Sequence, residues 1–573
     1  RKRYRVVREA DIPQLVRRIP GDKIPEGLEI QDLRDWLVVA SLVREYVHGP
    51  SSEALLGPIV RALPQGQFLF PRLHMLRYGA IAAPDTLGAL LPPSLCALSL
   101  QFLFFSRDCL SILRPHPLPP TTRQLRIGIS LENTRDALEL DLAPLHLLPP
   151  TLTDISLPIC DGHTFLHLAR SQTLTSLRLV GFYPGVVSHE VVVDEPFPQL
   201  TNFVVLECCA NDLRSVLPLF ANSRLDTVHI ALVADTPPTE YDALLAAVLE
   251  FLPNTCLQSL DLGYEDCAEL PLPIWTPRSD HISSMSRFSL LRHFALRGAA
   301  HLAQLAPDML ITLLCSLTVL ETLAIAQESP DVEHEYTCSL LSRIATVAPQ
   351  LRSLRIPILT RTIPLVARVS SSQLEFLRVE YSQAPKDVHP IATFLRDSFP
   401  NLRHLGALRQ AHAWRTIHAR LRLMRFLDDN KSGVELASSL PLLLSAGIGI
   451  GELAAMSQWS SRDCRSALTD LLSPGVPLFL QMCLAKGIAG LHEDAPPASY
   501  LDVADFDAFL HAPMPGVSLT QHRLKFDRVG ITRLNHLGAL AHWQDAQEHL
   551  EELFGDDLSR FELTVLKMGI QRI

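Results

Sequence analysis

One phrase, restated along most of the chain, limits what this sequence can fold into. It reads L-x-x-L-x-L, and it occurs as "PRLHMLRYG" from residue 71, "PSLCALSLQ" from 93, "PTLTDISLP" from 150, "QTLTSLRLV" from 172, "TCLQSLDLG" from 255, "PQLRSLRIP" from 349 and "PNLRHLGAL" from 400, with looser copies between them. The first apolar position falls near residues 73, 95, 122, 152, 174, 200, 225, 257, 291, 320, 351, 374 and 402, a period of about 27 residues. A leucine-rich chain produces one such phrase by accident. Thirteen spaced copies, several with the same upstream proline, are a repeat.

The phrase has a physical reading. In L-x-L, alternate side chains of a short strand point to one face, and the leading Leu turns the chain into that strand. Between the phrases lie apolar runs of helical period: "DALLAAVLEFLPN" (242–254), "DMLITLLCSL" (308–317), "SLLSRIATVAPQ" (339–350) and "IATFLRDSFPN" (391–401). Proline precedes many strands because it stops the helix before it and favours extended geometry, which accounts for 43 Pro against 26 Gly. The expected fold class is α/β, a leucine-rich-repeat solenoid with a curved parallel sheet and outer helices, followed by two small all-α modules. The boundaries expected are 1–65 for a helical N-terminal cap or connector, 66–410 for a solenoid of about 13 repeats, 411–492 for a first helical module and 505–573 for a second.

The two modules follow from a second duplication. At a constant offset, Phe426, Leu427, Gly433, Val434, Leu436, Gly447 and Ile448 meet Phe509, Leu510, Gly516, Val517, Leu519, Gly530 and Ile531. After one inserted residue, Leu453, Ala455 and Trp459 match Leu537, Ala539 and Trp543; after a two-residue deletion, Phe479, Leu484 and Ile488 match Phe561, Leu566 and Ile570. Asp463 also meets Asp545, but the shared positions are mostly apolar or glycine, the mark of a common core and common turns. "LHEDAPPASYLD" (491–502) reads as the linker. The same comparison explains "GIGIG" (447–451), which has neither the spacing nor the preceding strand of a dinucleotide loop; its counterpart "VGITRLN" keeps one glycine, so the segment reads as an interhelical turn.

The loose, proline-introduced repeats resemble the leucine-rich solenoids of fungal, basidiomycete-type F-box proteins. The resemblance implies a substrate receptor of a cullin-RING ubiquitin ligase, docked to the ligase adaptor subunit through an F-box upstream of the repeats. No F-box phrase occurs in residues 1–60, and the chain opens on Arg1; a start downstream of such a module and a protein that never had one agree equally with this. The order F-L, G-I, L-x-x-L and a closing "LxxGI" in each C-terminal copy resembles a sterile alpha motif, which implies self-association or hetero-association; another small helical bundle is the alternative.

Chemistry-bearing motifs are scarce. No nucleophile elbow, zincin, Walker or EF-hand motif is present, and the eleven cysteines show no zinc-ligand spacing. "VEHEYTC" around His334 and Cys338 reads as a loop, and adjacent Cys208 and Cys209 as core packing or its edge. No enzyme, cofactor or metal is expected. A net charge of -10 gives no general footprint for nucleic acid, the longest uncharged stretch (436–451) is short of a membrane span, and reduced scattered cysteines suit the cytoplasm or nucleus. The candidate site lies on the concave face. The residue between the last two apolar positions of each phrase points there, and it is Arg77, Arg126, Arg178, His229, Arg355 and Arg378 in six repeats. Guanidinium groups suit bidentate capture of carboxylate or phosphate, so the expected partner is a protein client with an acidic or phosphorylated segment, Arg355 and Arg378 standing in successive repeats. A ubiquitin-independent scaffold that self-associates through its C-terminal modules is the competing reading.

Overall fold

The computed structural model describes residues 5–17, 30–80, 85–102, 110, 113–114, 117–129, 143–183, 194–233, 236–264, 278–296, 306–325, 336–360, 362–364, 372–379, 387–407, 411–428, 436–472, 476, 478–491, 506–529, 531, 537, 550–551, 553–555 and 557–570. The chain divides into two compact units: Arg1–Tyr336 with Arg343–Leu359 and Val379–Tyr381, and Thr337–Ser342 with Thr360–Arg378 and Ser382–Ile573.

All thirteen phrases are strands. They are β3 (Met75–Ala80), β4 (Ala97–Phe102), β5 (Gln124–Ile129), β6 (Asp154–Asp161), β7 (Ser176–Tyr183), β8 (Asn202–Cys208), β9 (Thr227–Leu232), β10 (Ser259–Tyr264), β11 (His293–Leu296), β12 (Thr322–Ile325), β13 (Ser353–Arg355), β14 (Phe376–Val379) and β15 (His404–Ala407). Two more precede them, β1 (Val6–Val7) and β2 (Glu45–His48). In the first unit each strand pairs in parallel with its successor, β1 to β13, so order in the sheet is order in the chain. This is an α/β leucine-rich-repeat solenoid.

The phrase explains the strand. Leu76 and Tyr78, Leu98 and Leu100, Leu177 and Leu179, and Leu260 and Leu262 are each at most 3% exposed, and the residue between them faces away from the core. The leading Leu73, Leu95, Leu152, Leu200 and Leu351 are also buried. Each donates its N–H to the carbonyl three residues earlier, of Phe70, Pro92, Pro149, Phe197 and Ala348 respectively. A proline at that place supplies the acceptor without an N–H to satisfy.

A hydroxyl ladder holds successive turns in the amino-terminal half. The residue before the leading apolar position is Ser94, Thr121, Thr151 or Thr173. Ser94 Oγ donates to the carbonyls of Pro71 and Leu73 at 3.2 and 2.9 Å, Thr121 to Pro93 and Leu95 at 2.6 and 2.8 Å, Thr151 to Pro120 and Thr122 at 2.7 and 3.0 Å, and Thr173 to Pro150 and Leu152 at 2.5 and 2.8 Å.

Helices cover the other side of the sheet. The apolar runs become Pro238–Phe251, Pro307–Ser316, Cys338–Val347 and Val388–Ser398. Between helix and sheet sits an aromatic cluster in which Phe165 lies 5.0 Å from Phe182 and 5.2 Å from Phe197, and Phe220 lies 4.6 Å from Phe203. Residues 1–65 differ from the sequence expectation of a helical connector, for "EYVH" (45–48) is a strand of the same sheet. Its inward positions are Tyr46 and His48, whose polarity hides the phrase. The fold satisfies them internally: Tyr46 Oη and His48 Nδ1 are 3.1 Å apart, and the His48 ring stacks on Tyr78 at 4.4 Å.

In the second unit the duplication is visible in the backbone. The 3-10 turn Ala437–Ser439 and helix Leu440–Ser445 recur as Thr520–His522 and Arg523–Arg528. Ser439 and His522 donate to Leu436 and Leu519, and Ile448 and Ile531 donate to Leu443 and Phe526. Gly447 is a turn residue with φ of 75°, and Gly449 opens the helix Ile450–Met456 with its N–H on Glu452 Oε2 at 2.7 Å. The later copy closes around Phe506, Phe509, Leu510, Phe526, Phe554 and Leu566. Gly433, Val434, Gly530, Ala539, Trp543 and Asp545 of the matched positions lie outside the described residues.

The copies dock through non-equivalent surfaces. Phe561, at the start of the closing helix Arg560–Ile570, donates its N–H to Ala446 O at 3.1 Å, and Arg560 donates to Asp470 O at 3.0 Å. Trp459 donates Nε1–H to Pro515 O at 3.1 Å. The earlier copy presents its glycine turn and Trp459, the later one its closing helix and the 513–516 segment.

Candidate functional site

Parallel pairing lines up the residue that faces away from the core in every phrase. Val47, Arg77, Ser99, Arg126, Ser156, Arg178, Val204, His229, Asp261, Ala295, Ala324 and Arg355 form one lateral row, each in register with the next. Backbones of adjacent strands stand about 4.8 Å apart. The row is therefore a ruler marked in repeats.

Three of the six candidate residues occupy its first half at regular spacing. Arg77, Arg126 and Arg178 alternate with Ser99 and Ser156, and all three arginines are exposed. None has a hydrogen bond or ion pair among the described residues. Arg77 and Arg126 flank a groove of about 510 Å³ whose walls include Met75, Ser99, Gln101 and Gln124. Its floor is kept low by Gly79; Gly79 and Gly128 follow the two arginines by two residues and so face the same way, Gly128 lying against the wall residue Gln101. A Cβ on Gly128 would stand 2.4 Å from Gln101 Oε1, and one on Gly79 3.3 Å from His48 O. The R-x-G phrase was present in the sequence as "RYG" (77–79) and "RIG" (126–128).

The other candidates stand elsewhere. His229 Nδ1 lies 3.1 Å from Asp261 Oδ2 on the next strand, so its imidazole is already engaged. Arg355 ends β13 in the first unit and is half-buried; Arg378 lies on β14 in the second unit and is exposed.

A charged guanidinium beside hydroxyl and amide groups has the donors to hold an anionic group by charge-assisted hydrogen bonds. Among the described residues no group of three or more His, Cys, Asp or Glu is placed to hold a metal, and no helix is long and apolar enough to cross a membrane. His334 lies outside the described residues. Cys208 is buried, and burial pushes its thiol far above the usual range; burial pushes Cys338 and Cys464 up to about 11. Burial thus favours the thiol form of these cysteines at neutral pH.

No family model matches the chain, and no curated protein matches it. Among solved structures, the leucine-rich repeat-containing protein LegL7 from Legionella pneumophila is similar over 60% of this chain and 97% of its own, at 12% identity and a TM-score of 0.30. The Rad7 and Elc1 complex in yeast is similar over 70% of this chain and 85% of its own, at 13% identity and a TM-score of 0.33.

Proposed function

We propose that this is a non-enzymatic recognition protein that captures a protein client on the open face of its parallel sheet. The observation that carries the reading is the row Arg77, Arg126, Arg178, three exposed cations, unpartnered among the described residues, in lateral register in a chain of net charge -10. Its finer form is a substrate receptor of a cullin-RING ubiquitin ligase in the cytoplasm or nucleus, a reading supported by the likeness of the proline-introduced repeats to those of fungal F-box proteins. The test is affinity purification of the full chain and of an Arg77→Glu/Arg126→Glu variant. Copurification of the ligase adaptor supports the receptor form, and client recovery unchanged by the charge reversal removes the open face as the site.

One observation favours a scaffold as the second reading. The two C-terminal copies meet through different surfaces, and heterologous contacts between related units extend where isologous ones close. On this reading the copies are sterile-alpha-motif-like association modules, and concentration-dependent growth in light scattering tests it.

A further inference from the structure

The spacing of the arginine row specifies more than the sign of its partner. Arg77 to Arg126 and Arg126 to Arg178 are each two strands apart, about 9.6 Å of lateral travel per step. A segment lying across the strands meets all three only if its side chains repeat on one face at that distance. An extended β-strand returns to the same face every second residue, about 6.8 Å, and falls out of step at once. An α-helix approaches the spacing every seventh residue, about 10.5 Å, and accumulates the error over two steps. A polyproline II helix has three residues per turn at 3.1 Å rise, about 9.3 Å, and stays in step within the reach of an arginine side chain.

The charge balance selects the anion. Arg126 stands between Ser99 and Ser156, Arg77 between Val47 and Ser99, and Arg178 between Ser156 and Val204; with an uncharged residue on either side, one positive charge meets one negative charge, the stoichiometry of a carboxylate and not of a doubly charged phosphate, which recruits clustered arginines. Asp154, two residues before Ser156 on the same face, adds a carboxylate beside the row and opposes denser negative charge there. The groove beside Arg77 and Arg126, floored by Gly79, leaves room for the intervening residues.

We infer that the open face binds a polyproline II segment bearing a carboxylate at every third residue, engaged in turn by Arg77, Arg126 and Arg178. The inference rests on the recognition role proposed above and names its partner. It is tested by titrating the full chain with synthetic peptides: Glu at positions i, i+3 and i+6 between prolines, the same composition with the three Glu contiguous, an Ala-rich helix with Glu every seventh residue, the spaced peptide with phosphoserine for Glu, and a single-stranded oligonucleotide. The spaced Glu peptide is expected to bind at least about tenfold more tightly than the contiguous one, with a further loss of about tenfold for each of Arg77→Glu, Arg126→Glu and Arg178→Glu. Arg224→Glu, an exposed change off the row, keeps full affinity, and circular dichroism verifies the fold of each variant. Equal affinity for spaced and contiguous peptides overturns the inference, as does tighter binding of the helical, phosphorylated or nucleic-acid probe. If the charge reversals still abolish client capture in that event, the recognition role stands and the spacing rule alone is lost.

Discussion

Trp459 stacks on Phe561 with ring centroids 6.1 Å apart and planes 10° from parallel, joining residues that belong to different copies of the duplicated module. Both are nearly buried. Trp459→Ala also frees the Pro515 carbonyl, and is expected to cost about 3 kcal/mol. A double-mutant cycle with Phe561→Ala should return a coupling of about 1 kcal/mol. Chemical unfolding of the second unit within the full chain, followed by proteolysis, reads both values; additive losses would show that the stack contributes nothing of its own.

Gly447 is required twice, by its φ of 75° and by Ser559, whose Cβ would lie 2.9 Å from an added Cβ. Gly447→Ala should therefore cost more than the roughly 1 kcal/mol of the backbone alone. Ser559→Gly in the same chain should restore part of it, since glycine is a tolerable helix cap. Thermal unfolding of the single and double variants measures the two shares.

The Arg560–Ile570 helix begins with a reciprocal cap that also senses pH. Ser559 N–H donates to Glu562 Oε2 at 2.8 Å, Glu562 N–H donates to Ser559 Oγ at 3.2 Å, and His522 Nε2 lies 2.6 Å from Glu562 Oε1. Burial pushes the Glu562 carboxyl up, but hydrogen bonds from His522 and Ser559 outweigh it and hold the group below its ordinary value. The unfolded chain then binds the proton more readily, so stability is complete above the ordinary glutamate range and is lost as pH falls through the folded value. The advantage of the parent chain over Glu562→Gln should shrink on acidification below about pH 4. A constant difference down to pH 3 would refute the assignment.

Gly128→Val tests the groove without touching charge. The residue is in a strand at ordinary φ, and the atom it would meet first is the movable end of Gln101, so stability should change by less than about 0.5 kcal/mol. Client recovery should fall because the new side chain displaces Gln101, a wall of the groove. Retained recovery with an unchanged melting temperature would show that the groove is not used.

Thr151→Val removes one rung of the hydroxyl ladder, at a cost of about 1 kcal/mol. Replacing Ser94, Thr121, Thr151 and Thr173 together by Ala or Val should raise amide exchange in β4 to β7 well before the chain as a whole unfolds.

The repeat was legible because its signal is additive: thirteen copies of Leu at fixed offsets outweigh any one loose phrase, and each became a strand. β2 was not, since its core positions are Tyr46 and His48, which pass for surface residues until their mutual hydrogen bond and the stacking of His48 on Tyr78 are seen. The outward arginines could be named from the phrase, as could Asp261, yet the pairing of Asp261 with His229 depends on lateral neighbours that sequence separates by a whole repeat. Gly79 and Gly128 were overlooked because a glycine after a strand reads first as a turn. The docking of the C-terminal copies was hidden for another reason: duplication shows up at equivalent positions, whereas Trp459 and Phe561 are not equivalent.

Residue count and distance are uncoupled on the open face. Between Arg77 and Ser99 the chain runs 22 residues, and between Asp261 and Ala295 it runs 34, yet each pair is laterally aligned. Insertions on the helical side thus leave the front of the sheet untouched. Duplication or loss of one whole repeat would instead slide every downstream side chain by a single strand width, changing the partner's required periodicity in discrete jumps. Selectivity in such a molecule would evolve digitally, by adding or deleting marks on a scale, while the back of the protein drifts freely.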